Sequence, residues 1–362
     1  MDIQINKIPS LTWNWLQMNE VKVENVQTYN KKDKEEFIAR IDNPESVNHT
    51  VEADFDIDAS TGMGNEIGNV LGDALVHTFE TATAVEEPVV IDYKFLQGVN
   101  ASKVQLKVAA GAEMVVVQDF ASALTEQEVQ ESLAHVDGKP DKTEAAVETR
   151  YDIAEGGHLT LIQVQHLSKG VRFYNNIGGK QETTGGFTLI QLVLGGDESY
   201  YGCFAGLQGS KSTFENRIAY LLSGQDKLDM NYDIDHTGTK TVSDVLVSGV
   251  MRDASKKLFR GTIDFHRGCA GAKGSELEDV LLMDETVRNQ TIPVILCDEE
   301  DVEGSHGASI GKLDEKMMFY MKSRGIPEEE IYEMMATAKI DSIVNEIPLE
   351  NVREIIRGYI RD

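Results

Sequence analysis

The sequence predicts a mainly β chain that ends in helices, and three patterns carry that expectation. Short runs rich in Val, Ile, Leu, Phe and Tyr recur between residues 88 and 300, among them VVIDYKF, HLTLIQVQHL, GFTLIQLVLGG and TIPVIL. Several alternate with period two. In HLTLIQVQHL, Leu159, Leu161, Gln163 and Gln165 share one face, while Thr160, Ile162, Val164 and His166 share the other, which is strand spacing. From Leu313 onward the period changes to that of a helix. No helical periodicity interrupts the strand runs after about residue 150, which excludes a βαβ sheet and leaves a sandwich, a barrel or a parallel β-helix.

Residues 1–75 are mixed and polar. They hold two aromatic clusters (Trp13 and Trp15, Phe37 and Phe55) and the passage TGMGNEIGNVLGD, and are expected to form a small helical or irregular cap. Residues 76–312 carry the strand signal. Glycines punctuate it at Gly156-Gly157, Gly185-Gly186, Gly195-Gly196 and Gly238, where tight turns call for positive φ. The polar, acidic stretch 121–149 contains Gly138-Lys139-Pro140 and is expected as an inserted loop or short helix at the surface.

Residues 313–362 divide into three amphipathic helices. Leu313, Met317, Tyr320 and Met321 stripe the first, which stops at Gly325 with Arg324 in its last turn. Pro327 opens the second, with Glu328, Glu329 and Glu330 against the positive end of its dipole and a stripe of Ile331, Met334, Met335 and Ala338. Pro348 starts the third, where Val352, Ile355, Ile356, Tyr359 and Ile360 share a face. These faces require burial, either on the chain's own core or in a partner's groove.

Charge and cysteine usage narrow the function. Against 34 Lys and Arg stand 61 Asp and Glu, a formal net charge of −27. Such a chain repels phosphate backbones and anionic lipid, so neither nucleic acid nor a membrane is an expected partner. Cys203, Cys269 and Cys297 are odd in number and share no CxxC spacing, which argues against a disulfide framework and against a self-contained zinc or Fe–S motif. With no basic segment followed by an apolar run at the start, a cytoplasmic location is expected. Cys203 reads as core and Cys269 as the more exposed thiol. His158, His166, His236 and His266 read as structural or surface residues. No GxxxxGK[ST], GxSxG or HExxH pattern occurs, so any use of ATP is expected through a partner. A polysaccharide-active enzyme, with Asp244, Asp253 and Asp264 pairing across coils, is the distant alternative.

One passage is more specific. Ser305-His306-Gly307-Ala308-Ser309-Ile310-Gly311-Lys312-Leu313-Asp314 is followed by Phe319-Tyr320 and Ser323-Arg324-Gly325-Ile326. It resembles the core-domain signature of the SufB/SufD family, the scaffold proteins of Suf iron–sulfur cluster assembly, in its SufD-type form. The resemblance implies a right-handed parallel β-helix core, a helical C-terminal region that docks a SufC-type ABC ATPase, and a non-enzymatic scaffold carrying a transient iron–sulfur cluster. It also implies a dimer, either with a SufB-type subunit or as a homodimeric B-type subunit of a reduced two-component system.

The resemblance extends to single residues. His306 matches the histidine that SufD-type subunits contribute to the nascent-cluster site, where neutral imidazole can ligate iron. Glu278, in SELEDVLL, aligns where SufB-type members carry a reactive cysteine, so the persulfide acceptor is missing from that place. Glu278 is then either an oxygen ligand to iron or a solvated strand carboxylate. Cys297, nine residues before His306, is either a third site residue or core. Gly304 stands where SufD-type subunits often have a cysteine.

Overall fold

The computed structural model describes residues 1–10, 14–30, 38–85, 87–122, 125, 127, 130, 135–136, 139–140, 142–347 and 349–361. Trp13, Phe37, Gly138 and Pro348, singled out above, lie outside the described residues, as do the side chains of Ile355, Tyr359 and Ile360.

Alternating strands with few breaks give a chain that switches between two sheets at every turn. The first sheet runs in hydrogen-bonded order from Arg288–Cys297 through Lys256–Phe265, Lys227–His236, Glu198–Leu207, Val171–Gln181, Thr143–Ile153, Val99–Val108 and Val76–Thr81 to Val47–Glu52. The second runs from Val302–Gly311 through Ala272–Leu282, Val242–Met251, Thr213–Leu222, Gly186–Val193, His158–His166, Glu113–Ser122 and Val89–Phe95 to Ile38–Asp42. Every neighbouring pair is parallel except the two N-terminal ones. The result is a parallel β-solenoid of about 8 turns with helices at its C-terminal end.

Register is kept from coil to coil. His158 pairs with Gly186, Gly186 with Thr213, Thr213 with Val242 and Val242 with Lys273. Equivalent side chains therefore stack in columns. Inside, Phe95 and Phe120 lie 5.6 and 4.9 Å from Phe173 between ring centres. A buried amide ladder runs beside them: Gln163 Nε2 donates to Gln118 Oε1 at 2.7 Å, Gln191 Nε2 to Gln163 Oε1 at 2.8 Å, and Gln163 meets Asn175 across the lumen. An amide desolvated alone would destabilise the fold, so these satisfy one another.

One corner repeats the same left-handed turn. Gly111, Gly156, Thr184, Lys211, Lys240 and Gly271 all have positive φ, and each donates its N–H to a carbonyl of the next coil. Glycine adopts that conformation freely, but each β-carbon residue there costs about 1 kcal/mol. Of the glycines expected at turns, Gly156, Gly195 and Gly196 take positive φ, whereas Gly157, Gly185, Gly186 and Gly238 do not. Gly238 is required for another reason: a Cβ there would sit 2.3 Å from Gly209 O.

Among the described residues, 1–75 form mainly strands and irregular segments rather than helices. Ile3–Ile5 pairs with Val21–Val23, and Ile38–Asp42 and Val47–Glu52 extend the two sheets. Among the described residues there, the helical content is three-residue turns at Asn14–Leu16 and Asn65–Ile67 plus Gly68–Leu71. The rest straps the outer face of the first sheet. Asn6 Nδ2 donates to Asp229 Oδ1 at 2.7 Å, Arg260 Nε to Met18 O at 2.7 Å, and Met63 N to Asn176 Oδ1 at 2.9 Å. The expected insertion at 121–149 is shorter than its composition suggested, because its last seven residues begin the buried strand Thr143–Ile153.

A charged network closes one edge of that strap. Glu198 accepts from Arg172 Nε at 2.9 Å and from Tyr200 Oη at 2.5 Å, with Lys142 and Lys227 beside it. Burial pushes its carboxyl up, but Arg172 and then Lys227 outweigh that and hold it at about 2. A carboxyl held below its ordinary value stabilises the fold above that value and loses the effect as it takes a proton. Glu198→Gln should therefore cost about 1–3 kcal/mol at pH 7. Urea titrations should show the gap to the parent chain closing as pH falls from about 4.5 toward 2. A gap constant with pH would show that the charge is not what stabilises.

The C-terminal helices explain the apolar outer face of HLTLIQVQHL. Ile340, Ile343, Val344, Ile347, Val352 and Ile356 pack on Val117, Ile162, Val164, Ile190, Leu192 and Ala219 of the second sheet. The Glu328–Val344 helix thus buries Ile331, Ile340, Ile343 and Val344, while Met334, expected in its stripe, is exposed. The Glu315–Ser323 helix differs. It buries none of its residues, and Met317, Phe319 and Tyr320 face solvent.

Candidate functional site

The solenoid ends at Val302–Gly311 and Arg288–Cys297, each the terminal strand of its sheet. The motif residues lie on the first of these. Along Ala272–Leu282 burial alternates, so Gly274, Glu276, Glu278 and Val280 face the lumen while Leu277 faces out. Register pairs Glu276 with His306 and Glu278 with Ala308. His306 therefore projects on the lumen side of the last coil, exposed because no described strand covers that coil. The acid opposite it is Glu276 rather than Glu278.

Glu278 is not a solvated carboxylate. It is 1% exposed and bonded to Lys257 Nζ, and Thr291 Oγ1 donates to its Oε2 at 2.5 Å. Lys257 also donates to Thr291 Oγ1 at 3.0 Å. Burial lowers the Lys257 pKa, and the Glu278 charge opposes that shift. Glu276 lies beside the pair. A Cβ at Gly261 would fall 1.7 Å from its Oε2, so a glycine on the facing wall is what lets this carboxylate cross the lumen. Burial, then the charge of Glu278, push Glu276 up to about 7, against the pull of Lys257. The last two coils thus hold a lysine, two carboxylates and a threonine within the lumen, next to an exposed histidine.

One thiol departs from its expected place, and the structure leaves Cys297 rather than Cys269 exposed. Cys269 is fully buried, in a turn where its N–H bonds His266 O and its carbonyl accepts from Ala272. Cys203 is buried as expected, and burial raises its pKa. Cys297 is the exposed one, at the end of a terminal strand, with Sγ 3.0 Å from Glu299 O. Gly304 has a packing role: a Cβ there would lie 3.0 Å from Phe265 and 3.3 Å from Ile295.

The remaining histidines are held by neighbours. His166 meets Asp119 at 2.7 Å, and His236 sits buried between Thr241 at 2.7 Å and Ser243 at 2.8 Å. His266 stands between Asp235 and Asp264. Asp244, on the second sheet, pairs with Arg217 at 2.8 Å, and Asp264 lies on the first sheet, so those two carboxylates do not pair across coils. Glu276, Lys257 and Thr291 escaped sequence reasoning. The alternation in SELEDVLL already put Glu276 on the face of Glu278, but nothing local tied Lys257 or Thr291 to it.

Comparison with known proteins places the chain in a family. The family model described as SUF system FeS cluster assembly, SufBD core domain, matches residues 97–339. The iron-sulfur cluster assembly protein SufD of Bacillus subtilis (strain 168) is 29% identical over 210 residues, 57% of this chain and 47% of that protein. An iron-sulfur cluster assembly SufBD family protein of Staphylococcus saprophyticus is 30% identical over 191 residues, 53% of this chain and 39% of its own length. One of Mycobacterium leprae is 30% identical over 140 residues, 39% and 16%. The chain thus spans less than half the length of each of these relatives. Among the described residues no helix is long and apolar enough to cross a membrane.

Proposed function

This chain belongs to the SufBD family of Suf-system Fe–S cluster assembly proteins, and we propose that it is a scaffold subunit that receives a nascent cluster at the open end of its solenoid. The observation that carries this reading is His306, exposed in the last coil with Glu276 opposite it and the Lys257–Glu278–Thr291 group next to it. The cluster is cargo. Neutral imidazole supplies a ligand that releases iron more readily than thiolate. Carboxylate oxygens suit incoming iron. Lys257 and Thr291 hold the Glu278 carboxylate inside the lumen, which leaves Glu276 as the carboxylate opposite His306. Cys297 is the accessible sulfur ligand on the same end.

The partner reading follows from the same end. A terminal strand with unpaired backbone groups suits a second β-solenoid, either a SufB-type subunit or another copy of this chain. ATP hydrolysis then belongs to a SufC-type ATPase docked on the Glu315–Ser323 helix, and the complex works in the cytoplasm. The support is that helix's exposed Phe319 and Tyr320, 75% and 58% accessible, beside Met317. The two later helices cannot be removed to test this, because they cover the second sheet. Phe319→Glu with Tyr320→Ala should abolish co-purification of the ATPase while thermal unfolding shifts by no more than about 2 °C. Undiminished capture would place the ATPase elsewhere.

Cysteine replacement tests the ligand set. Anaerobic reconstitution followed by absorbance should survive Cys203→Ser, Cys269→Ser and Cys297→Ser one at a time, each keeping more than about half the bound iron. Complete loss in Cys297→Ser would make that thiol the principal ligand.

A further inference from the structure

A second set of donor atoms lies on the outer face of the first sheet, where the assembly reading makes no use of it. Asp235 pairs in register with Asp264, and His266 follows directly after that strand ends. Tyr232 and Ile234, with Ile263 and Phe265, are buried between these positions, so Asp233, Asp235 and Asp264 point outward, away from the lumen that holds Lys257 and Glu278. One ligand atom from each of Asp235, Asp264 and His266 lies within 4.8 Å of the others. His266 Nε2 stands 3.3 Å from Asp235 Oδ2 and 3.5 Å from Asp264 Oδ2.

Three observations separate this set from an ordinary surface ion pair. His266 Nε2 has no exposed surface and no hydrogen bond of good geometry, although two carboxylate oxygens flank it at ion-pair distance. Those separations exceed the roughly 2.7–2.9 Å of a charge-assisted hydrogen bond. They equal the spacing of donors around a shared ion, since atoms each about 2.0–2.2 Å from one tetrahedral centre stand roughly 3.3–3.6 Å apart. Secondly, Asp233 Oδ1, two residues before Asp235 on the same outward face, is also buried without a partner. Thirdly, neither Asp235 nor Asp264 has a Lys or Arg ion pair among the described residues, while Arg260 nearby is committed to Asp229. The three ligand side chains are each partly open to solvent, which leaves a path for an ion.

We propose that Asp235, Asp264 and His266 form a binding site for a divalent first-row transition-metal ion, with Asp233 as the adjoining donor. One imidazole with carboxylate oxygens suits zinc, manganese or ferrous iron rather than a soft, thiolate-seeking ion. The site is independent of His306, because it lies on the other side of the sheet wall. Bound metal replaces the missing partners of His266 and Asp233 and ties two consecutive coils together next to the open end.

The test titrates the purified chain with Mn²⁺, read as loss of the free-ion EPR signal, and with Co²⁺, read by visible absorbance. One binding event is expected that weakens at least tenfold in Asp235→Asn and in His266→Ala and is unchanged in Glu215→Gln, an exposed carboxylate on the other sheet. Equal binding in the parent chain and the first two variants would overturn the proposal and assign the ion to diffuse acidic surface. Should a variant misfold, the parent chain still decides: Zn²⁺ should protect His266 from diethyl pyrocarbonate by at least tenfold, read by peptide mass, and unprotected modification would refute the site.

Discussion

Lys257→Met should lower the unfolding free energy by about 3–5 kcal/mol, the largest single-residue effect expected in this chain. The ammonium is buried and bonded to both Glu278 and Thr291, and its removal leaves Glu278 uncompensated beside Glu276. A buried carboxylate without its partner takes up a proton, so the variant's deficit should be larger at pH 8 than at pH 5. Lys257→Met combined with Glu278→Met should recover much of the loss, because an apolar pair of similar volume does not carry the desolvation penalty. Equilibrium urea unfolding of the two singles and the double measures this directly. A single variant within about 1 kcal/mol of the parent would mean that water or rearrangement already compensates the pair.

His306→Ala should do the opposite, removing function and leaving the fold. The side chain is exposed on a terminal strand, so its loss should change stability by less than about 0.5 kcal/mol. Iron retained after anaerobic reconstitution should fall at least tenfold, and so should Fe–S enzyme maturation in cells, with ATPase and partner capture intact. A variant that retains iron like the parent would reduce His306 to an edge-strand residue. Glu276→Gln then becomes the informative change, since Glu276 holds the register position opposite.

These two outcomes rest on different sources. His306 was legible because an unusual local motif named it, and its place on a strand followed from period-two alternation. Lys257 was invisible. It is twenty-one residues from Glu278 on the other sheet, and the bond between them exists only because the two walls enclose one lumen. The thiols show the same limit from the other side. Glycine neighbours made Cys269 look exposed, yet its turn folds under the following coil, whereas Cys297 ends an apolar run but lies on a strand that nothing described covers.

Local pattern therefore settled the class of the later elements, strands from alternation, C-terminal helices from the 3.6 period and caps, and the family from one motif, but it missed the strands within residues 1–75 and the start of Thr143–Ile153. Those properties depend on neighbours within one or two turns of chain. The stacking of coils was outside its reach, because an irregular repeat does not declare which residues share a column. Hydrogen bonds between coils set that register, and register in turn placed Glu276 opposite His306, Asp235 against Asp264, and the N-terminal strap over Arg260. A side chain's burial and partners in a solenoid are properties of the coils above and below it, and those become neighbours only when the chain has wound.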